Sequence, residues 1–306
     1  VLAIKYAELI QETLHHAGLE ARQIQAIGAH GQTIRHQPLQ SPQDSYTWQC
    51  LNAALLAELT NIHVISDFRS RDLAANGQGA PLVPGFHTAQ FFTTKPVAVL
   101  NLGGIGNLTI IHSQENIYGF DTGPANVLLN DWIEKNQAVA FDKEGLWAKS
   151  GSILPNFLNA MLTDPYFSKP IPKSTGRDYF HLQWVEKYLS MESNVRAVDV
   201  QASLVELTAI SIARQLQLHM PDCSNLIICG GGVANTYLFD RIRSHCLNLI
   251  PGINVCSSKE QGIDPQAVEG LAFAWLAWCF MQSIPGNIPS VTGARAPRIL
   301  GALYPR

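Results

Sequence analysis

The sequence predicts an α/β protein of two domains, and three observations predict it. Short apolar runs at residues 62–65, 97–102 and 226–229 alternate along the chain with segments whose apolar residues recur at helical spacing. The chain has 306 residues, past the roughly 250–300 at which single cores divide. At Lys95-Pro96 the texture changes from helices and a breaker-rich stretch to a meander of strands and turns, which places a domain boundary there.

The first domain opens with a helix. Leu2, Tyr6, Leu9, Ile10, Leu14 and Ala17 fall on one stripe, and Gly18 sits where a C-terminal cap belongs. A strand is expected over 24–29, then a polar turn, His30-Gly31-Gln32-Thr33. Asn52 can cap a helix to about Leu59. Residues 62–65 form a buried strand that delivers Asp67-Phe68-Arg69, and residues 76–85 carry too many Gly and Pro for regular structure.

The second domain starts with strands at 97–102, 108–111 and 117–120, joined by Gly103-Gly104-Ile105-Gly106 and Gln114-Glu115-Asn116. Asp121-Thr122-Gly123-Pro124 ends the third strand, and a helix leaves from Asn126. Two or three helices follow, interrupted at 169–178. Asp199 is placed to cap a long helix to about His219. A strand at 226–229 enters Gly230-Gly231-Gly232, from which another helix runs to about Cys246. Asp264-Pro265 reads as a cap followed by Pro at the first helical position, opening the helix that holds the apolar stretch 270–282. No repeat and no low-complexity segment interrupts this order.

Composition excludes several classes. With 46% hydrophobic residues and 23 Gly and 17 Pro dispersed along the chain, it is neither disordered nor fibrous. Its 24 acidic and 21 basic residues leave no basic footprint, so no nucleic-acid partner is expected. The stretch 270–282 is well short of the roughly 20 residues of a membrane helix. The six cysteines (Cys50, Cys223, Cys229, Cys246, Cys256, Cys279) form no C-x-x-C pair and read as free buried thiols in a reducing compartment. The opening Val1-Leu2-Ala3-Ile4-Lys5 has neither initiator Met nor signal peptide and reads as a chain that has lost its beginning.

The glycine loops carry the chemistry. Gly103-Gly104-Ile105-Gly106 has the wrong spacing for a dinucleotide fingerprint and precedes a β-branched strand, and no G-x-x-x-x-G-K-[ST] occurs. Two readings remain for it: a hairpin whose N–H groups contact phosphate oxygens, or a tight turn with no ligand. Gly230-Gly231-Gly232 stands between strand and helix, where a nucleotide can approach, or where helix packs closely on strand. Asp67 and Asp121 each close an apolar strand. A carboxylate there serves as general base or binds Mg²⁺ through water, or else initiates a turn or caps a helix. His30 and His36 lack a third ligand for a metal. Leu271, Phe273, Trp275 and Trp278 read as core. Arg35, Arg69 and Arg71 suit an anionic substrate, although solvated arginines are the commoner outcome.

Taken together, residues 28–36 (GAHGQTIRH), Ser66-Asp67-Phe68-Arg69, residues 78–84 (QGAPLVP), Leu102-Gly103-Gly104-Ile105-Gly106-Asn107 and residues 119–126 (GFDTGPAN) resemble the anhydro-N-acetylmuramic acid kinase family. So do Lys173-Ser174-Thr175-Gly176-Arg177, Cys229-Gly230-Gly231-Gly232, Val268-Glu269-Gly270 and the tail 300–305 (LGALYP). The matches run in order over essentially the whole chain.

This resemblance implies the actin/hexokinase/Hsp70-type ATPase fold, two ribonuclease H-like lobes with an interdomain cleft. Residues 1–95 would be the remainder of the first lobe, on the substrate side, with the tail 286–306 returning to it. Residues 96–285 would be the second lobe. It further implies a cytoplasmic homodimer that uses ATP and Mg²⁺ to open 1,6-anhydro-N-acetylmuramic acid with water, giving N-acetylmuramic acid 6-phosphate in cell-wall recycling.

By the same resemblance Asp67 is the general base, and Arg69 keeps that base ionised or holds the lactyl carboxylate. His30, Gln32 and Arg35 fall on the sugar side. Gly103, Gly104, Gly106 and Asn107 form the second phosphate clamp, Asp121 and Gly123 lie near the phosphates or their metal, and Gly230, Gly231 and Gly232 accommodate the adenosine. Glu269 supports the metal or phosphate site indirectly. One departure is plain: family members open with a strand and a hairpin of the type S-G-T-S-x-D-G, the first phosphate loop, and about 60 residues of that kind are not in this sequence. The alternatives are a non-catalytic sugar- or nucleotide-binding relative, or a kinase of another sugar on the same fold.

Overall fold

The computed structural model describes residues 1–38, 43–189 and 194–306. They form two compact units, one of Val1–Gln90 with Glu269–Arg306, the other of Phe91–Val268.

In the first unit, helix α1 (Leu2–Ala17) ends at Gly18, whose φ of 65° lets its N–H reach back to the His15 and Leu14 carbonyls. The face that α1 buries is small: Ala3 and Ala7 pack with Ala53, Leu56 and Ala57 of α2 (Ala53–Thr60), whereas Leu9 is 59% exposed. Asn52 caps α2 as expected, accepting the Leu55 N–H. The strand expected over 24–29 shrinks to β1 (Ile27–Gly28), the part that finds partners in Val64 and Ile65, and a 3₁₀ turn with a Glu20–Gln23 capping box precedes it at Ala21–Gln23.

The turn expected at 30–33 is instead the start of a hairpin, β2 (Gln32–Gln37) with β3 (Tyr46–Cys50), kinked by a bulge between Thr33 and Arg35. In β3 the residues Tyr46, Trp48 and Cys50 alternate with Thr47 and Gln49, but they lie on the exposed face, and β2 holds Ile34 as its one apolar residue, so the pair shows no apolar face turned to a core. Strand β4 (Val64–Ser66) pairs in parallel with β1. Helix α3 (Ser70–Ala74) follows. The breaker-rich stretch yields at Val83 to α4 (Val83–Phe91), which accommodates Pro84 in its first turn.

The second unit is built on one sheet. Strands β5 (Val97–Leu102), β6 (Ile105–Ile111) and β7 (Ile117–Pro124) make the antiparallel meander, followed by helices α5 (Asn126–Gln137), α6 (Leu146–Lys149), α7 (Pro155–Leu162), α8 (Leu182–Leu189) and α9 (Ala197–His219). Strand β8 (Asn225–Cys229), helix α10 (Thr236–Leu249) and strand β9 (Asn254–Ser257) complete it. The order is β7-β6-β5-β8-β9, with β8 and β9 parallel to β5. A meander extended by two parallel strands is the arrangement of a ribonuclease H-like lobe. Its core joins Leu100, Leu108 and Ile110 of the sheet to Leu204, Leu207 and Ile212 of α9.

Two expected caps are corrected. Residue Arg196 is the N-cap of α9, while Asp199 lies inside the first turn and accepts from the Arg196 guanidinium and the Ser152 N–H. A carboxylate is favoured there by the helix dipole as well as at the cap itself. Asp264-Pro265 forms a turn, with the Asp264 carboxylate accepting the Gln266 N–H, and the helix starts only at Val268.

That helix, α11 (Val268–Met281), belongs almost wholly to the first unit, together with α12 (Pro289–Thr292) and strand β10 (Ala302–Tyr304), which pairs antiparallel with β4 to complete a sheet of order β1-β4-β10. Of the apolar stripe on α11, Phe273 is core and Trp275 half-buried, but Leu271 and Trp278 are exposed. Among the described residues no helix is long and apolar enough to cross a membrane. All six cysteines are free, five of them buried, and burial pushes the thiols of Cys223, Cys246 and Cys279 to about 11, 12 and 11, which leaves them unreactive.

His87 on α4 is fully buried, and burial alone lowers its pKa to about 3. Below pH 6.5 the unfolded chain therefore takes up a proton that the folded chain refuses. Stability is retained above that pH and lost as pH falls towards the folded value. At pH 4.5 the loss is about 3 kcal/mol. Urea titrations at pH 7 and 4.5 should show it, and His87→Gln should flatten the difference.

Candidate active site

In the second unit, the Gly103-Gly104 turn between β5 and β6 is tied to the start of α5. The Gly104 carbonyl accepts from the Ala125 and Val127 N–H groups, the Gly103 carbonyl accepts from the Asn126 N–H, and Asn126 Nδ2 reaches Gly103 O at 2.8 Å. The N–H groups of Gly103 and Gly104 themselves find no acceptor among the described residues. A Cβ at either position would meet nothing closer than 3.6 Å, and neither has a left-handed φ. The fold thus does not require glycine at these two positions. Gly106 differs, since a Cβ there would lie 2.7 Å from Thr122 Oγ1.

Asp121 does not end its strand. β7 runs on to Pro124, and Asp121 is held inside it opposite Asn107 of β6, whose Nδ2 donates to Oδ1 at 2.9 Å. The loop of Lys173-Ser174-Thr175 closes over it: Thr175 N–H donates to Oδ2 at 2.9 Å, Asp121 N–H donates to the Lys173 carbonyl, and Tyr166 Oη donates to the Asp121 carbonyl. Burial raises the Asp121 pKa above the usual carboxylate range despite the opposing bonds from Asn107 and Thr175. Gly123 has φ 147°, and a Cβ there would press on the Phe167 ring at 2.8 Å, so the fold alone explains that glycine. The Lys173–Tyr166 segment is itself anchored by Asp164, whose carboxylate accepts from Tyr179, Trp184, Tyr188 and the Tyr166 N–H.

Beside these residues lies a cavity of about 480 Å³ whose lining includes Asn126, Phe141, Lys143, Gly231, Gly232 and Asn235. Its walls are fixed locally: Asn235 caps α10 through the Leu238 N–H, and Asp142 accepts the Trp147 and Ala148 N–H groups at the start of α6. Gly230 has φ 87° and faces the Asn101 side chain, and a Cβ on Gly232 would lie 2.6 Å from Leu102 Cγ. Close packing demands both. Gly231 has open space around it and borders the cavity.

In the first unit, Asp67 follows β4 with φ 55°, a left-handed conformation uncommon for a non-glycine residue and costing about 1 kcal/mol. Its side chain is exposed. Oδ1 accepts from Ser70 Oγ at 2.6 Å and from Ser70 N–H at 3.3 Å, and Oδ2 has no partner among the described residues. One oxygen therefore tethers the start of α3 while the other is available.

Arg69 is not a solvated arginine. Its Nε donates to His30 Nε2 at 2.8 Å and its Nη1 to the Gly79 carbonyl at 2.7 Å, and it makes no ion pair with Asp67. Since His30 Nδ1 lies 2.8 Å from the Gly31 carbonyl, His30 is the neutral Nδ1–H tautomer, and its ring packs at a tilt against that of Phe273. Burial first, and then the Arg69 charge, lower its pKa to about 4.

Gln32 and Arg35 are exposed on the hairpin, and among the described residues the Arg35 guanidinium donates to Gln37 Oε1. Glu269 sits in the first turn of α11, where its charge acts on Arg69. The structure thus brings His30, Arg69 and the field of Glu269 together. The sequence analysis did not single out Asp72, Asp142, Asp164 or Asn235; Asp142 and Asn235 stand just before helical turns, a readable capping signal, whereas Asp72 lies inside α3 and Asp164 follows α7, where nothing local marks them.

Among the described residues no three His, Cys, Asp or Glu side chains converge as a metal site. Each Asp121 oxygen already accepts one hydrogen bond and keeps a further lone pair, and the nearby Thr175 hydroxyl oxygen is buried with no partner among the described residues. This donor set fits a hydrated divalent cation held through water rather than direct ligation.

The fold and these residues define a class: an α/β protein of two units, one presenting a glycine turn, a strand-held carboxylate and a glycine-bordered cavity, the other an exposed carboxylate near a buried arginine. Comparison with known proteins gives the particular family. The family described as anhydro-N-acetylmuramic acid kinase matches residues 1–306, and the chain belongs to it.

Proteins named anhydro-N-acetylmuramic acid kinase from Xanthomonas campestris pv. campestris (strain 8004) and Pseudomonas fluorescens (strain Pf0-1) are 46% and 48% identical to it over 305 and 300 residues. These matches cover 99% and 98% of this chain and 79% and 80% of those proteins. Among solved structures, the activator of the 2-hydroxyisocaproyl-CoA dehydratase from Clostridium difficile with bound ADPNP aligns over 72% of this chain and 68% of its own, at 13% identity and a TM-score of 0.42.

Proposed function

We propose that the chain is an ATP-dependent kinase that opens 1,6-anhydro-N-acetylmuramic acid with water and phosphorylates O6, giving N-acetylmuramic acid 6-phosphate and ADP in cell-wall recycling. Membership of the anhydro-N-acetylmuramic acid kinase family over residues 1–306 carries this reading.

The residues have the properties that it asks for. Asp67 Oδ2 takes the proton of a water whose oxygen attacks the anomeric carbon. The C1–O6 bond breaks, O6 takes the γ-phosphoryl group, and the bond to the leaving ADP breaks. Arg69, with Nη2 unspent, holds the lactyl carboxylate. His30 keeps Arg69 in place, while Gln32 and Arg35 contact the sugar.

On the second unit, the N–H groups of Gly103 and Gly104 meet the phosphates, with Gly106, Asn107 and Gly123 shaping that turn, and the cavity beside Gly230, Gly231 and Gly232 takes the adenosine. Mg²⁺, when bound, would neutralise charge developing on the phosphates. Asp121 and the Thr175 hydroxyl would hold its waters, and the indirect support of the metal or phosphate site by Glu269 follows the family resemblance alone. Free buried thiols suit a cytoplasmic setting, and the homodimer follows the resemblance alone.

The test is incubation with the anhydro sugar, ATP and Mg²⁺. The expected product is heavier than the substrate by one water and one phosphoryl group. ATP consumption driven equally by sugars that lack the anhydro bridge would sink the assignment.

A further inference from the structure

Asp72 is a carboxylate with 0% exposure, on the helix that follows Asp67. Three donors converge on it: Gly79 N–H on Oδ2 at 2.7 Å, and Asn287 Nδ2 and Thr292 Oγ1 on Oδ1 at 2.6 and 2.8 Å. The Gly77 N–H donates to its main-chain carbonyl, and a Cβ on Gly77 would run into its carboxylate, so the chain closes directly onto this side chain.

The loop held in this way is the one whose Gly79 carbonyl receives Arg69 Nη1 at 2.7 Å, and Arg69 Nε in turn reaches His30. Asp72 makes no ion pair among the described residues, yet its charge acts on Arg69. This buried, acceptor-only anchor holds the loop whose carbonyl receives Arg69, the arginine proposed to hold the substrate's carboxylate.

The geometry points to Asp72 as a positioning residue: through the Gly77–Gly79 loop it sets the orientation of Arg69, and so the recognition of the substrate's carboxylate. This rests on the reading of Arg69 as a substrate-binding residue.

Asp72→Asn is the direct variant. An amide offers one acceptor oxygen where three donors need two, so turning its oxygen towards Asn287 and Thr292 drives its NH₂ against the Gly79 N–H. Gly77→Ala disturbs the same contact from the loop side and serves if Asp72→Asn fails to fold. Asn287→Ala is the control, because it removes a bond to Asp72 but leaves the Gly79 side intact.

The expected result in both test variants is a rise of about tenfold or more in KM for 1,6-anhydro-N-acetylmuramic acid, with KM for ATP within about twofold. The NMR titration of His30 should also move up from its depressed position towards 6.5, as Arg69 lets go of Nε2. Asn287→Ala should lower Tm without either change. Unchanged KM for the sugar and an unmoved His30 in a folded test variant would overturn the proposal, as would the same two changes in Asn287→Ala. A parent protein that does not respond to the sugar would instead refute the function, while the His30 titration would still test the positioning role.

Discussion

Asp67→Asn should fold like the parent and lose about a thousandfold in turnover, within the range for removing a positioned general base. The substitution is chosen for what it leaves alone. Asn keeps an oxygen for the bonds from Ser70, and it tolerates the left-handed φ of 55° at this position at least as well as Asp. What it removes is the charge and basicity of the unpartnered Oδ2. Tm should stay within about 2 °C, the shift expected of a surface change that leaves packing intact. Asp67→Ala is the poorer experiment, since it adds backbone strain and drops the Ser70 tether. If Asp67→Asn turned over at the parent rate, the carboxylate would be only the start of α3.

Gly104→Ala should lower turnover about a hundredfold while leaving stability unchanged or slightly raised. Its nearest neighbour to an added Cβ is Val127 at 3.9 Å, and its φ is one that any residue adopts, so the folded state has no objection. The unfolded chain loses freedom, worth about 0.4–1 kcal/mol in favour of folding. A phosphate approaching the free N–H groups meets the new methyl instead, and displacement of about 1 Å at a reacting centre costs about a hundredfold. Gly106→Ala gives the contrast, because its Cβ collides with Thr122 Oγ1 and should destabilise the sheet. A Gly104→Ala enzyme with parental kinetics would remove this turn from the phosphate site.

These contrasts show where the sequence was readable. Four strands of the second unit were legible, because β5, β6 and β8 are apolar runs bounded by glycine and the meander follows from the turn chemistry between them; the four-residue β9, with Val255 and Cys256 as its apolar residues, was not. The β2–β3 hairpin was not legible either, since β2 holds one apolar residue, Ile34, and the alternation of Tyr46 and Trp48 in β3 spans five residues and faces outward. The glycines looked alike as letters. Packing separates Gly230, Gly232 and Gly123, which the fold demands, from Gly103, Gly104 and Gly231, which it does not.

Asp67 was visible at the end of its strand, but its free oxygen and left-handed backbone depend on Ser70 and the turn into α3. Arg69 reads as a surface arginine because both of its partners, His30 and Gly79, come from distant loops. The depth of Asp121 is set by Thr175, far along the chain, and no local pattern announces it.

The most direct test of the central claim is the fate of water oxygen. The chain is incubated with the anhydro sugar, ATP and Mg²⁺ in ¹⁸O-labelled water, quenched early and analysed by mass spectrometry. The expected product is a sugar 6-phosphate carrying the label on C1, with none in the transferred phosphoryl group and one ADP formed per sugar opened. Label appearing in inorganic phosphate with the anhydro bridge intact would contradict it, because water would then have attacked ATP and not the sugar.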